Sequence, residues 1–238
     1  MGLFMLNNFQ DEEYPKPPKN NEDYGYWEGS FKGYSPKELL ALSDEDLQTL
    51  FNEFLDKGLE IEFLDKYYTK YKNYLSNTKS NNNFNNENLE EELSTQGGGF
   101  LRYILTKIIQ GVKYTKDKEV QLFRSIRVNN TEEIDLNNLG VCWTYKSNNI
   151  PYLERIFNFY TGRFKVRFAS STPIDNIDWV NSLFLYLKHA FLDGNEDELR
   201  VCDPKKICLL GYVSIDSKTN TLYSKYGDVS NISKGIIQ

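Results

Sequence analysis

Glu196-Asp197-Glu198-Leu199-Arg200-Val201 places two carboxylates two residues apart at the head of a short run with strand character. In an extended chain, residues i and i+2 point to the same face. An extended Glu196–Glu198 segment therefore projects both carboxylates into one space. Like charges held together in a cleft raise each other's pKa and favour a cation or a hydroxyl donor beside them. With Asp193-Gly194-Asn195 in front of it, the same stretch also reads as a solvated acidic turn.

What stands upstream extends the reading. Val120 to Arg127 has strand character, and so does Leu139 to Tyr145. Phe164-Lys165-Val166-Arg167-Phe168 alternates as a strand does. Pro151 suits the first turn of a helix through Phe159. Ile174 to Phe191 reads as a helix with Ile177, Val180, Phe184, Leu187 and Phe191 inward. Leu199 to Cys202, Ile207 to Ile215 and Thr221 to Ser224 close the chain as strands, the last two joined by a turn at Ser217-Lys218-Thr219-Asn220. Strands interrupted by single helices and ending in strands predict an α+β domain with small twisted sheets.

The first hundred residues differ in kind. Residues 7 to 35 mix Pro, Asn and Gly with Tyr24, Tyr26, Trp27 and Phe31, an aromatic arm suited to lying across the protein's own surface or a partner's. Ser43 followed by Asp44, Glu45 and Asp46 predicts a helix start, with Leu47, Leu50, Phe51, Phe54 and Leu55 on one face and Gly58 as its stop. Glu60 to Leu75 predicts a second helix bearing a stripe of Tyr67, Tyr68, Tyr71 and Tyr74, suited to helix–helix contact. Between 76 and 99 lie an Asn-rich tract, Glu90-Glu91-Glu92 and Gly97-Gly98-Gly99, a composition expected of a flexible linker. The predicted organisation is an arm and helical hairpin over 1–75, a linker over 76–99 and the α+β domain over 100–238.

Composition limits the function classes. Hydrophobic residues make up 39% of the chain, with 17 Tyr and 15 Phe, enough for an ordered core. A net charge of -6, with Lys and Arg spread along the chain, argues against nucleic acid as the main partner. One His and three scattered Cys form no zinc spacing, no Ca²⁺ loop is present, and the odd Cys count suits a reducing compartment. No apolar run reaches the length of a membrane span and the N-terminus lacks a signal-peptide pattern, so a soluble, cytoplasmic or virion-associated protein is expected.

Leu122-Phe123-Arg124 on one strand, Leu139-Gly140-Val141-Cys142-Trp143-Thr144 on the next, Ile177-Asp178-Trp179, and the acidic pair Glu196/Glu198 before a strand occur in an order that resembles the ADP-ribosyltransferase fold, specifically its Arg/Ser/Glu class and compact phage-encoded relatives. The resemblance covers about residues 100 to 225 and leaves out the N-terminal hundred. It implies NAD as substrate, with Arg124 and Trp143 at the NAD site and Thr144 at the hydroxyl position that supports the catalytic acid. It further implies Glu198 as the carboxylate facing the oxocarbenium-like transition state and Glu196 as the group serving a protein acceptor. The class usually has Ser-Thr-Ser at the hydroxyl position. Cys142-Trp143-Thr144 stands there instead, and Ser170-Ser171-Thr172 is a rival, less suited because Pro173 reads as a strand exit. Asp178-Trp179 and His189 are expected to be structural. A close variant is an NAD glycohydrolase, in which water replaces the acceptor; a reading from another class is a non-enzymatic interaction or virion component that keeps the fold as a scaffold and binds a protein partner through its N-terminal part.

Overall fold

The computed structural model describes residues 29–78, 89–136, 139–151, 154, 162–190 and 197–233. The aromatic arm before residue 29, most of the helix expected after Pro151, and Glu196 lie outside them. The described residues divide into two compact units. One takes 111–178 and 197–233, the other 29–110 and 179–190.

The first unit is a sheet. Its strands are β1 (Val120–Val128), β2 (Cys142–Thr144), β3 (Phe164–Thr172), β4 (Ile177–Asp178), β5 (Glu198–Val201), β6 (Cys208–Asp216) and β7 (Leu222–Gly227). They form one seven-stranded sheet in the order β4-β5-β2-β1-β3-β6-β7, each neighbouring pair antiparallel. A single sheet thus stands where several small ones were expected. β1 and β3 pair from Val120↔Thr172 through Val128↔Phe164, which sets Leu122, Ile126, Val166 and Phe168 on one face. The opposite face carries a core of Phe123, Ile150, Ala169, Val213, Ile215 and Ile232. Beside that core, Glu154 accepts from Arg167 at 2.7 and 2.8 Å and from Ser125 at 2.8 Å, and Arg167 also donates to the Ile232 carbonyl at 3.1 Å. The edges are unequal: β4 has 2 residues, whereas β7 has 6 and is largely exposed, with Tyr223 and Tyr226 in solvent.

The α+β class is as expected, but two strands are shorter or longer than their pattern suggested. Only Cys142–Thr144 of the expected 139–145 run is strand, because Gly140 takes a left-handed φ of 80° and turns the chain just before it. Ser170-Ser171-Thr172 does not leave β3; these residues are paired within it and buried.

The second unit is helical: α1 (Pro36–Ala41), α2 (Asp44–Asp56), α3 (Asp65–Thr78), α4 (Leu89–Gly111, its last residue in the sheet unit) and α5 (Trp179–Lys188). Ser43 caps α2 as its sequence predicts, accepting from the Asp46 amide at 3.0 Å. Ser35 and Glu38 form a capping box on α1. The tyrosines of α3 pack on rings from other helices: Tyr68 lies 5.6 Å from Phe100 and Tyr67 lies 5.7 Å from Tyr186.

Two expectations change here. Residues 89–99 are helix rather than linker, the first half of α4. Leu93 and Phe100 are buried, and the glycines give close approach rather than freedom. A Cβ on Gly98 would meet the Asp44 carbonyl and come within 2.8 Å of the Gln48 amide, while the Gly98 N–H donates to Gln48 Oε1 at 3.0 Å. The helix expected from Ile174 starts only at Trp179. Asn176 stops it: its side chain donates to Thr172 Oγ1 at 2.8 Å and to the Asp203 carbonyl at 2.9 Å, and accepts from the Asp203 amide at 3.0 Å. Ile177 and Asp178 then pair with Val201 and Arg200 as β4.

Candidate functional site

Strand order brings the sequence motifs together. β5, β2 and β1 are neighbours, so segments 122–124, 142–144 and 198–200, far apart in the chain, lie side by side. Phe123 pairs with Thr144, and Thr144 pairs with Glu198. Directly opposed residues of antiparallel strands share a face, with Cβ atoms about 5 Å apart. The Thr144 hydroxyl and the Glu198 carboxylate are thus set next to each other. Thr144 Oγ1 accepts from the Lys146 amide at 3.2 Å, which leaves the hydroxyl hydrogen to be donated.

Period-two alternation adds three residues to that face. Cys142 opposes Arg200, and Arg200 opposes Asp178 on its other side. Glu198 is 7% exposed and Arg200 is 1% exposed, so both charged side chains have little access to water. The Cys142 thiol is pushed well above the ordinary thiol range, first by burial and then by the Glu198 charge, whose carboxylate accepts its hydrogen; Arg200 and Arg124 oppose the shift.

Arg124 and Trp143 are also brought together, one step along each strand and so on the alternate side of the pleat. The Arg124 guanidinium lies over the indole, 5.9 Å from its centroid, and donates to the Leu139 carbonyl. The Trp143 indole N–H donates to the Gly140 carbonyl at 2.9 Å. Gly140 suits its left-handed backbone, and a Cβ there would press on the tip of the Arg124 side chain. This pair fastens the corner that leads into β2.

The acidic stretch has a different shape from the one its spacing suggested. β5 starts at Glu198, and Asp197 adopts a φ of 49°, so the backbone is not extended across the pair. Glu196 itself lies outside the described residues. Asp197, which the sequence reading passed over, is 5% exposed and heavily bonded. Its carboxylate accepts from Tyr145 Oη at 2.8 Å, Lys146 Nζ at 2.9 Å and Asn149 Nδ2 at 2.6 Å. Its carbonyl accepts from the Tyr145 amide at 3.2 Å.

Arg200 shares the face of Glu198 because β5 begins at Glu198 and not at Leu199 as expected. Asp197 carried one signal, an Asp in an acidic, glycine-containing turn where left-handed backbone is tolerated. The rival hydroxyls Ser170 and Thr172 pair on β3, on the far side of β1 from β2 and β5. His189 belongs to the helical unit and is buried there. Among the described residues, no group of three or more His, Cys, Asp or Glu can hold a metal, and no helix is long and apolar enough to cross a membrane. No protein-family model, curated protein or solved structure matches the chain.

Proposed function

We propose that the chain consumes NAD and transfers its ADP-ribose to a protein acceptor. One observation carries the reading: the segments that resemble the Arg/Ser/Glu class fall on three adjacent strands, and its hydroxyl and acid positions, Thr144 and Glu198, are direct cross-strand partners. In this reading the bond from the nicotinamide-bearing ribose to nicotinamide breaks, and nicotinamide leaves with the electron pair. The positive charge that grows on the ribose is stabilised by Glu198, a fixed carboxylate in a site with little water. Thr144 holds that carboxylate, and an acceptor nucleophile adds to the ribose carbon and loses its proton. Arg124 and Trp143, one step along their strands on the other side of the pleat from Thr144 and Glu198, fasten the β2 corner in this reading; their contact with NAD rests on the resemblance, as does the acceptor role of Glu196.

The direct test is turnover of NAD by the purified chain, followed as nicotinamide release. Glu198→Gln keeps shape and removes charge, and is expected to lower kcat by at least about 100-fold in protein that remains folded. A wild-type chain that releases no nicotinamide at millimolar NAD excludes the reading and leaves the non-enzymatic scaffold.

A further inference from the structure

We propose that Asp197 is a positioning residue that sets the Glu198 carboxylate in place by stapling the start of β5 to the segment leaving β2; the inference rests on the reading of Glu198 given above. β2 is only 3 residues long, and its pairing with β5 spans Cys142↔Arg200 to Thr144↔Glu198. Strand pairing this short is a weak constraint on its terminal pair, and Thr144–Glu198 is that terminal pair. The next residue on each strand supplies what the ladder lacks. Asp197 accepts from three side chains, Tyr145, Lys146 and Asn149, all within the five residues that follow Thr144, and its carbonyl accepts from the Tyr145 amide.

The left-handed backbone at Asp197 is part of the device. For a residue other than Gly such a φ is uncommon, and it persists where surrounding contacts over-determine it. Here the turn aims the carboxylate of Asp197 back at β2 while Glu198 begins the regular strand. Asp fits on both counts, since it tolerates this backbone and offers two acceptor oxygens. Glu198 therefore owes its orientation to a residue that need not touch substrate.

The full-length chain tests this through three variants assayed for nicotinamide release. Asp197→Gly keeps the left-handed backbone and removes the side-chain bonds to Tyr145, Lys146 and Asn149. Asp197→Asn keeps the backbone and one acceptor oxygen. Tyr145→Phe removes a single bond. The expected result is a graded fall in kcat, to about 100-fold for Asp197→Gly and less for the other two, with KM for NAD within about twofold of wild type. Added to Glu198→Gln, Asp197→Gly is expected to cost almost nothing further, because it acts through the missing carboxylate. An unchanged kcat in folded Asp197→Gly overturns the proposal, as does a rise in KM alone or full additivity with Glu198→Gln. Should Asp197→Gly fail to fold, an unchanged kcat in both Asp197→Asn and Tyr145→Phe overturns it equally. An inactive wild type removes the reading of the site and this inference together, whereas an active wild type with indifferent variants removes only this inference.

Discussion

Arg124 shows how far a residue type can be read without its surroundings. As a sequence feature it is a permanently charged fork on an apolar strand, suited to phosphate. In the fold it is 8% exposed, stacked on Trp143 and bonded to the Leu139 carbonyl. Arg124→Ala is therefore expected to lower the melting temperature without NAD present, because it removes both contacts from the corner that positions β2. Equal melting temperatures for the two proteins, with a NAD-dependent rise in wild type only, would instead assign Arg124 to the ligand. Thr144 and Glu198 were legible as a hydroxyl and an acid whose adjacency the resemblance implied, but the residues alone did not carry it, since it depends on strand register. Asp197 was hidden for a related reason: its role comes from one backbone angle and from three donors located near β2, some fifty residues upstream in sequence.

At the scale of elements, period served better than composition. The α2 cap and its Leu47, Leu50, Phe51 and Phe54 stripe were readable because a helix end and an apolar face leave local marks. The segment 89–99 was not, because three glycines and three glutamates describe a linker as well as they describe a helix whose glycine face meets another helix. Local propensity favours the linker; tertiary contact with α2 overrides it. Gly98→Ala discriminates between the two. On an exposed helix it would stabilise by about 1 kcal/mol. Here, with the Asp44 carbonyl and the Gln48 amide in the path of the new methyl, it is expected to destabilise, measured as a lower denaturant midpoint. The late start of α5 was equally invisible, since Asn176 acts through Thr172 and Asp203 and only the second of these ties is made across distant sequence.

For the whole molecule, the division into units does not follow the chain. The helical unit takes α5 from the middle of the sheet unit's sequence, and Phe184 of α5 lies 5.2 Å from Phe54 of α2. A boundary at residue 100 would cut α4 in two, so the expected division at 76–99 gives way to an insertion, a topology that composition does not encode. Stability of the sheet unit is tied to pH through Glu154. Burial works to raise its carboxyl pKa, but the Arg167 guanidinium, with Ser125 and Lys165, outweighs burial and holds it below the usual carboxylate range. A carboxylate depressed in the folded state adds stability above its unfolded pKa of about 4.3 and loses it as pH falls through the folded value. Glu154→Gln is accordingly expected to cost about 3–5 kcal/mol at neutral pH and progressively less in acid, which urea melts at pH 7 and pH 3 would measure. The unequal edges of the sheet bear on behaviour in concentrated solution. At two residues β4 offers little template, so among the described residues the longer edge open to an added strand is β7, where Tyr223 and Tyr226 are exposed and Lys225 stands between them. In concentrated solution, a second molecule adding a strand there would bring its backbone up against the Lys225 charge between two tyrosine rings.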